Sequence, residues 1–362
     1  MILSHLHIHA LRNLSNVEMN LSPGLNYLIG PNGSGKTSVL EAMHLLGLGR
    51  SFRSAQLNRV IQHHAKELAI FAELTEQANP SLISKLGFSR DQLGKSRMKV
   101  NGDPVSSMAD LAQLLPILLL YSESYTLFRD SPKARRKWLD WGMFHVEHAF
   151  FPLWKKSQKI LAQRNALLKQ MASEADIVVW DAQLVEIAEA IHQLRAVFMV
   201  QWQEVMQQVL QALFDRNDLL LTYTPGWDVE LGLAQVLKRN LGKDRALRYT
   251  TRGPQRADIQ IYIEDVPAQH VLSLGQQKLL VSGIILSQAV LLRRLANKNP
   301  LLLIDDLPAE LDEQAREKIA RIIHSLDTQV FLTAIDHHTL APFLATDQPT
   351  KMFHVEHGVL LG

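Results

Sequence analysis

Eight consecutive residues, Gly30-Pro31-Asn32-Gly33-Ser34-Gly35-Lys36-Thr37, have the types and order of a phosphate-binding loop, G-x-x-x-x-G-K-[ST]. Glycines let the backbone curl so that successive N–H groups face phosphate oxygens, and the N-terminus of the next helix adds partial positive charge. Lys36 would bridge the β and γ phosphates of ATP, and Thr37 would offer its hydroxyl to Mg²⁺. A chance glycine-rich turn explains the composition but not the context. The loop follows an apolar strand-like run, Leu25 to Ile29, and precedes a helix expected from Lys36 to about Leu46.

Leu301-Leu302-Leu303-Ile304-Asp305-Asp306 is an apolar run ending in two acids. It has the form of a buried parallel strand that delivers carboxylates to the edge of a sheet where ligands bind. Asp305 would hold Mg²⁺ through water, and Asp306 would orient or polarise the attacking water. Alone the pattern is common, because many strands end in Asp at a turn; the phosphate loop is what makes it functional.

Leu272-Ser273-Leu274-Gly275-Gln276-Gln277 precedes a long helical pattern and comes about thirty residues ahead of the acid pair. It is similar to the signature of ABC ATPases, in which a serine hydroxyl and glycine amides at a helix N-terminus touch the γ-phosphate held by a second subunit. A serine that merely caps a helix would account for Ser273 but not for the order of the motifs. Leu274 stands where the transporter form has glycine. Asp312, just past the acid pair, resembles the loop that links the two sites of such dimers.

These residues need strands to carry them. Residues 1–30 read as two strands joined at Ser22-Pro23-Gly24, with Arg12-Asn13 on the first. Strand patterns around Leu68–Ala72 and Arg97–Val100, the latter followed by the hairpin dipeptide Asn101-Gly102, suggest a sheet that extends the first strands. From about Ser131 to Phe214 the period becomes helical, and strand character returns at Leu219–Thr224, Ile259–Ile263, Leu301–Ile304 and Gln329–Leu332. The expected class is α/β: an ABC-type P-loop ATPase head with an inserted, mainly helical second lobe. The expected division is residues 1–122 and 218–362 for the head and 123–217 for the helical lobe. A hexapeptide, Met143-Phe144-His145-Val146-Glu147-His148, recurs at Met352–His357. It is read as ordinary structural histidines, since neither thiolates nor extra carboxylates lie nearby for a metal.

With 362 residues, 47% of them hydrophobic and 20% charged, the chain has the apolar content for substantial cores and exceeds one compact domain. It has no cysteine, which excludes disulfides and thiolate metal sites. Neither a signal peptide nor an apolar run of bilayer-spanning length is legible; Leu114–Tyr121 and Leu279–Leu292 are too short. The expectation is a cytoplasmic protein without a membrane partner.

Further landmarks occur in one order: Arg12-Asn13, Leu40-Glu41-Ala42, Gly49-Arg50-Ser51-Phe52-Arg53, Ser131-Pro132 with Arg135-Arg136, Leu139–Gly142, Gly253-Pro254-Gln255-Arg256-Ala257-Asp258, and Ser273–Gln277. With the three motifs above they cover residues 1 to about 315 and resemble the RecF family of bacterial recombination-repair proteins, within the ABC/SMC-type ATPases. The resemblance implies a two-lobed head without a long coiled coil, an ATP-dependent homodimer and slow, DNA-stimulated ATP hydrolysis. It also implies binding to gapped or junction DNA and action with RecO and RecR in loading the RecA recombinase during repair and the SOS response. It adds Arg12, Ser38, Gly275 and Gln276 to the nucleotide-binding residues, beside the catalytic set Lys36, Asp305, Asp306 and Ser273.

Some positions depart from the pattern. Glu123 lies where ABC proteins keep a glutamine, Gln255 replaces a histidine, Asp306 replaces the glutamate of transporters, and His337 and His338 are the candidates for a γ-phosphate switch. A non-enzymatic nucleotide-gated DNA scaffold and a transporter ATPase subunit are the competing functions. The helical lobe and its charge weigh against the transporter.

The net charge of +2 does not by itself mark a nucleic-acid binder, so any footprint must be local. Between Asp130 and Gln170 there are nine basic residues against three acids, and the hairpin region Lys85–Asp103 has five against two. Arg135, Arg136, Lys155, Lys156, Arg97 and Lys99 are the expected DNA contacts, to phosphates rather than to bases. Such charge runs are more often solvated faces, and the resemblance is what favours DNA.

Overall fold

The N-terminal thirty residues form three strands. β1 (Ile2–Leu11) turns at Arg12-Asn13, with Arg12 at φ +54°, and returns as β2 (Leu14–Asn20); β3 (Leu25–Ile29) follows. Arg12 and Asn13 therefore sit on a turn and not on a strand. In this computed structural model the described residues are 1–76, 79, 81–105, 107–125, 132–214 and 218–361.

β4 (Glu67–Thr75), β5 (Ile83–Asp91), β6 (Ser96–Val100) and β7 (Asp103–Pro104) complete an antiparallel sheet of order β2-β1-β4-β5-β6-β7. The expected extension of the first strands is present, but β3 is not part of it. Asn101-Gly102 makes the two-residue β6–β7 hairpin with both residues at positive φ, the geometry that matches strand twist. β8 (Ile117–Leu120) belongs to a second sheet.

Among the described residues the helices Pro132–Val146, Phe150–Lys169 and Glu174–Phe214 come next. β9 (Leu219–Thr224), the helix Leu233–Leu247, β10 (Asp258–Ile263) and β11 (Val266–Pro267) follow, with the strands in a small antiparallel sheet of order β11-β10-β9. The helix Leu274–Ala296 comes next. It is the one helix among the described residues long and apolar enough to cross a membrane by length and composition, and 72% of its most apolar window is buried in the protein. The apolar stretch Leu279–Leu292 is thus lengthened at both ends, and its buried Ser287 accepts the indole N–H of buried Trp202 at 2.9 Å.

β12 (Leu301–Ile304), the helix Glu313–Ser325, β13 (Val330–Ala334), β14 (Thr350–Glu356) and β15 (Val359–Leu361) close the chain. Their sheet has the order β15-β14-β3-β13-β12-β8 and is parallel except for the β14–β15 hairpin. β3, β12 and β13 are buried at every position, as strands covered on both faces must be. The repeated hexapeptide is helical in its first copy and lies on β14 in its second.

Two units result: Met1–Ser124 with Asn297–Gly362, and Tyr125–Ala296. Residues 218–296, expected from sequence in the ATPase head, group instead with the helices, because β9 and β10 pair with each other and the helix Leu274–Ala296 packs on the helix Glu174–Phe214. The expected boundary at 217, together with Asp130 and Ser131, lies outside the described residues. In the first unit the core fills the space around the helix Lys36–Leu48 with side chains from both sheets, among them Leu6, Ile8, Leu28, Leu303 and Phe331. That helix is buried almost all round, so its polar residues Lys36, Ser38, Glu41 and His44 must all be satisfied inside the protein.

Candidate functional site

Four parallel strands end together at one edge of the second sheet. β3 leads into the loop at Gly30, β8 into Tyr121, β12 into Asp305 and β13 ends with Thr333-Ala334. Ligands of open α/β sheets bind at this edge.

The loop is held from two sides. Asn13 donates its amide to the carbonyls of Gly33 (3.1 Å) and Ser34 (3.0 Å) and accepts the Ser38 hydroxyl at 3.1 Å. The N–H of Gly358, in the β14–β15 hairpin, donates to the Ser34 carbonyl at 2.8 Å. At Gly35 φ is +121°, a conformation that only glycine adopts readily, and a Cβ there would press on Leu14 and Asn13. A Cβ at Gly30 would collide with the Val355 carbonyl.

Lys36 is 4% exposed and donates to the carbonyls of Gly30 (2.7 Å) and Pro31 (3.0 Å). Burial pulls its ammonium pKa down, and the charges of Asp306 and Asp305 act in the opposite direction. Thr37 donates its hydroxyl to Oδ1 of Asp305 at 2.9 Å, and Thr333 donates to the same oxygen at 2.9 Å. Burial raises the Asp305 carboxyl above the ordinary range, with the two threonine hydroxyls and Arg53 pulling it back. Asp306 sits at φ +52°, and its backbone N–H donates to the Thr333 hydroxyl at 2.8 Å. The acid pair, Lys36 and Thr37 are thereby brought together from opposite ends of the chain.

Sequence reasoning did not give Asn13, Glu41 or Thr333 a part in the site. Glu41 is fully buried on the face of its helix toward Arg12, which binds it through Nε (2.9 Å) and Nη2 (2.8 Å). Ser51 also donates to it, and Arg53 lies 3.6 Å away. An acid four residues after Thr37, the only carboxylate in a helix that is apolar over most of its length, is the available signal. Arg12 also lines a cavity of about 1330 Å³ with Arg59, Gln62, His63, His64 and Lys66.

The donor set fits a magnesium nucleotide. Thr37 and Asp305 offer a hydroxyl and a carboxylate oxygen 2.9 Å apart, the hard oxygen ligands that Mg²⁺ takes. The buried hydroxyl of Ser34 has no protein partner, and the first N–H groups of the helix Lys36–Leu48 have none within it. Ser122–Tyr125 is a short 3₁₀ turn with Glu123 exposed, and His337 and His338 are exposed just past β13.

Ser273 lies in the second unit. Its hydroxyl accepts the N–H of Gln276 at 3.3 Å while the Gln276 side chain accepts the Ser273 N–H at 3.0 Å, a reciprocal cap on the helix Leu274–Ala296. Ser273, Leu274, Gly275 and Gln276 are all exposed, with open space beside Gly275.

The expected DNA contacts divide. Arg135 is buried and makes two hydrogen bonds to Asp258, at 2.9 and 2.8 Å, and Arg136 donates to the Ala257 carbonyl at 2.5 Å. Arg164 is fully buried between Asp181 and Asp244. Arg135 and Arg164 are thus withdrawn from the surface; the acids that hold them come from outside the stretch, so a local charge count could not register them. Lys155, Lys156, Arg97 and Lys99 are exposed, Arg97 lying 3.8 Å from Asp91.

The family of RecF/RecN/SMC N-terminal domains matches residues 2–360. The DNA replication and repair protein RecF of Pseudomonas aeruginosa (strain LESB58) is 42% identical over 359 residues, covering 99% of this chain and 97% of that protein. The chain belongs to the RecF family. RecF of Aliivibrio fischeri (strain MJ11) is 40% identical over 99% of both chains. A solved structure of the recombination mediator RecF with ATP superposes with a TM-score of 0.85 at 23% identity, covering 99% of this chain and 97% of that one. An Smc head bound to the C-terminal winged-helix domain of ScpA gives 0.60 at 14% identity, with 99% and 96% covered. The fold of this RecF-family chain is accordingly that of an ABC-type ATPase head with a second, largely helical unit.

Proposed function

We propose that this RecF-family chain is an ATP-dependent DNA-repair protein that binds Mg·ATP at the Gly30–Ser38 loop, dimerises on the nucleotide, hydrolyses it slowly and binds gapped or junction DNA. The observation that carries the reading is the convergence of Lys36, Thr37, Asp305 and Asp306 at one sheet edge, with Thr37 and Asp305 2.9 Å apart. Magnesium, when bound, supplies charge for the phosphates and a site for ordered water. Lys36 would leave the Gly30 and Pro31 carbonyls for the β and γ phosphates, while Thr37 and Asp305 hold the metal. Asp306 would accept the proton of the attacking water, steadied by Thr333. Arg12, anchored by Glu41, would face the nucleoside side of the ligand in the cavity with Gln62 and His63.

Ser273, Gly275 and Gln276 would complete the site of a second copy. Their exposure and the helix N-terminus behind them suit an anion supplied by another subunit. The solved RecF is described as a recombination mediator of the RecFOR pathway; partners of the RecO and RecR kind, recombinase loading and action in the cytoplasm are included in the proposal.

Light scattering of the full chain with ATP, ADP or no nucleotide, with and without gapped DNA, tests this reading. An ATP-specific dimer that DNA reinforces, together with slow phosphate release, is the expected result. A dimer without turnover would leave a nucleotide-gated scaffold, and indifference to both ATP and DNA would overturn the reading.

A further inference from the structure

Gly253-Pro254-Gln255-Arg256-Ala257-Asp258 takes no part in the nucleotide site, yet it organises arginines. Asp258 holds Arg135, the Ala257 carbonyl accepts from Arg136, and the Pro254 carbonyl accepts from Arg195 at 3.0 Å. Two cavities flank this segment within the second unit. One, of about 310 Å³, is lined by Lys133, Arg136, Lys137, Arg195 and Trp154, with Asp140 as the acid. The other, of about 600 Å³, is lined by Lys243, Arg252, Arg256 and Tyr249, with Asp228 as the acid.

The first cavity contains an incompletely satisfied cation. Arg195 is 2% exposed; it donates to Asp140 (2.6 Å) and Pro254, but its buried Nε has no partner, and neither has the buried Oε1 of Gln255 beside it. Arg136 is crowded as well. Burial, then the neighbouring Arg195, pulls its pKa down, while Asp140 and Asp258 act in the opposite direction.

The second cavity lies in a further basic stretch of the chain. From Lys238 to Arg256 there are seven basic residues and one acid, Asp244. Asp244 is fully buried and serves Arg164 and Thr251, so it neutralises nothing at the surface. Lys243, Arg248 and Arg252 are exposed and have no ion-pair partner among the described residues. The Arg256 guanidinium lies over the Tyr249 ring, 5.2 Å from its centre, and Tyr249 is 40% exposed.

We propose that this face of the second unit binds a single strand of DNA, which crosses the Gly253–Asp258 turn with phosphates in the two cationic cavities and bases against Tyr249 and Trp154. The inference rests on the DNA-binding part of the proposed function and names the surface that carries it. Cations alone would suit any polyanion. The pairing of guanidinium and ammonium groups with an aromatic ring in each cavity selects a strand whose bases are free to stack. Neutralised phosphates then release counterions, which makes binding steeply salt-dependent.

Fluorescence anisotropy of the full chain with a labelled oligothymidylate, an abasic strand of equal length and a duplex, over a salt series, tests the proposal. Lys133→Gln with Lys137→Gln, and separately Lys243→Gln with Arg252→Gln, should each weaken oligothymidylate binding tenfold or more and flatten the log–log salt slope by about two. Tyr249→Ala should weaken oligothymidylate binding while leaving the abasic strand unaffected. ATP affinity, which these exposed residues do not serve, reports folding of each variant; the two double variants decide independently. If the wild-type chain binds no DNA, the proposed function fails. If it binds and both double variants match it in affinity and slope, this surface is rejected while DNA binding stands. Loss on duplex with oligothymidylate binding intact would overturn the single-strand assignment.

Discussion

Arg12 closes a two-pronged ion pair on Glu41, with Nε and Nη2 at 2.9 and 2.8 Å from the two carboxylate oxygens. The acid is on the helix behind the phosphate loop and the base is on the β1–β2 turn, beside the Asn13 that holds the loop. The pair therefore fastens the turn to the helix. Removing one partner of a buried pair typically costs about 3–5 kcal/mol, because the other charge is left unmatched. Glu41→Ala should lower thermal stability by an amount of that order and weaken ATP binding, whereas Glu41→Gln keeps the acceptor and should lose less of both. Calorimetry and nucleotide titration on the two variants check this. Unchanged ATP affinity in both would separate Arg12 from the nucleotide.

His44, three residues on, gives a pH dependence. Burial pushes its imidazole pKa down to about 4 from 6.5, and its Nδ1 lies 2.6 Å from the Arg50 carbonyl. The unfolded chain takes up the proton below about pH 6.5 while the folded chain does not until about pH 4. Stability from this group is therefore complete above 6.5 and lost as pH falls toward 4, by on the order of 3 kcal/mol in all. Melting temperatures measured between those limits should fall less steeply for His44→Gln than for the wild type; parallel curves would show that another group sets the acid limb.

Asp305 works in the other direction. Its carboxyl is raised by burial, so ionising it costs the folded state more than the unfolded state, and the cost grows as pH rises through the ordinary carboxylate range. Asp305→Asn retains an oxygen for Thr37 and Thr333 while removing the charge. The variant should melt higher at neutral pH, by about 2–4 °C for each kcal/mol recovered, and this gain should vanish in acid. Magnesium-dependent ATP binding should be lost. A variant that melts lower at pH 7, or that retains magnesium dependence, contradicts the assignment.

Ser273→Arg places a long cation at the exposed cap of the helix Leu274–Ala296. The loss of the cap should cost about 1 kcal/mol, and ATP binding to the single chain should be unchanged. ATP-dependent dimerisation should disappear if the residue serves a second copy's nucleotide. A dimer that survives in light scattering would remove the trans arrangement and leave Ser273 a cap.

Asp306→Asn is a conservative test of water activation, since asparagine tolerates the positive φ of this position and keeps an oxygen near Thr333. Binding of ATP should stay within about twofold, while single-turnover hydrolysis should fall by at least about a hundredfold, the lower range for a lost general base. DNA residence should lengthen with ATP and stay the same without it. Hydrolysis near the wild-type rate would reject Asp306 as the water-positioning acid.

Much of the site is legible in the chain because its chemistry is local. The loop from Gly30 to Thr37 requires residue types in sequence, and the run Leu301–Ile304 with its two acids requires a buried strand with a polar end; both patterns survive without knowledge of neighbours. The order of the motifs was enough for the fold class. Where the expectations erred, the deciding partner was distant in sequence. Arg135, expected to contact DNA, is held by Asp258, 123 residues away, and Arg164 by Asp244, 80 residues away. The place of residues 218–296 depended on which helix the segment 274–296 packs against, and two apolar helix faces do not name their partner in advance.

Residue types at short spacing are enough to read the glycine-rich loop with its lysine and threonine, the acid pair, the serine-capped helix and the family. Which cations remain outside depends on contacts that short spacing does not reveal. A charge stays at the surface unless the fold delivers a carboxylate to desolvate with it, and that delivery is made by strands and helices far apart in the chain; hence Arg135 is inside and Lys243 and Arg252 are not.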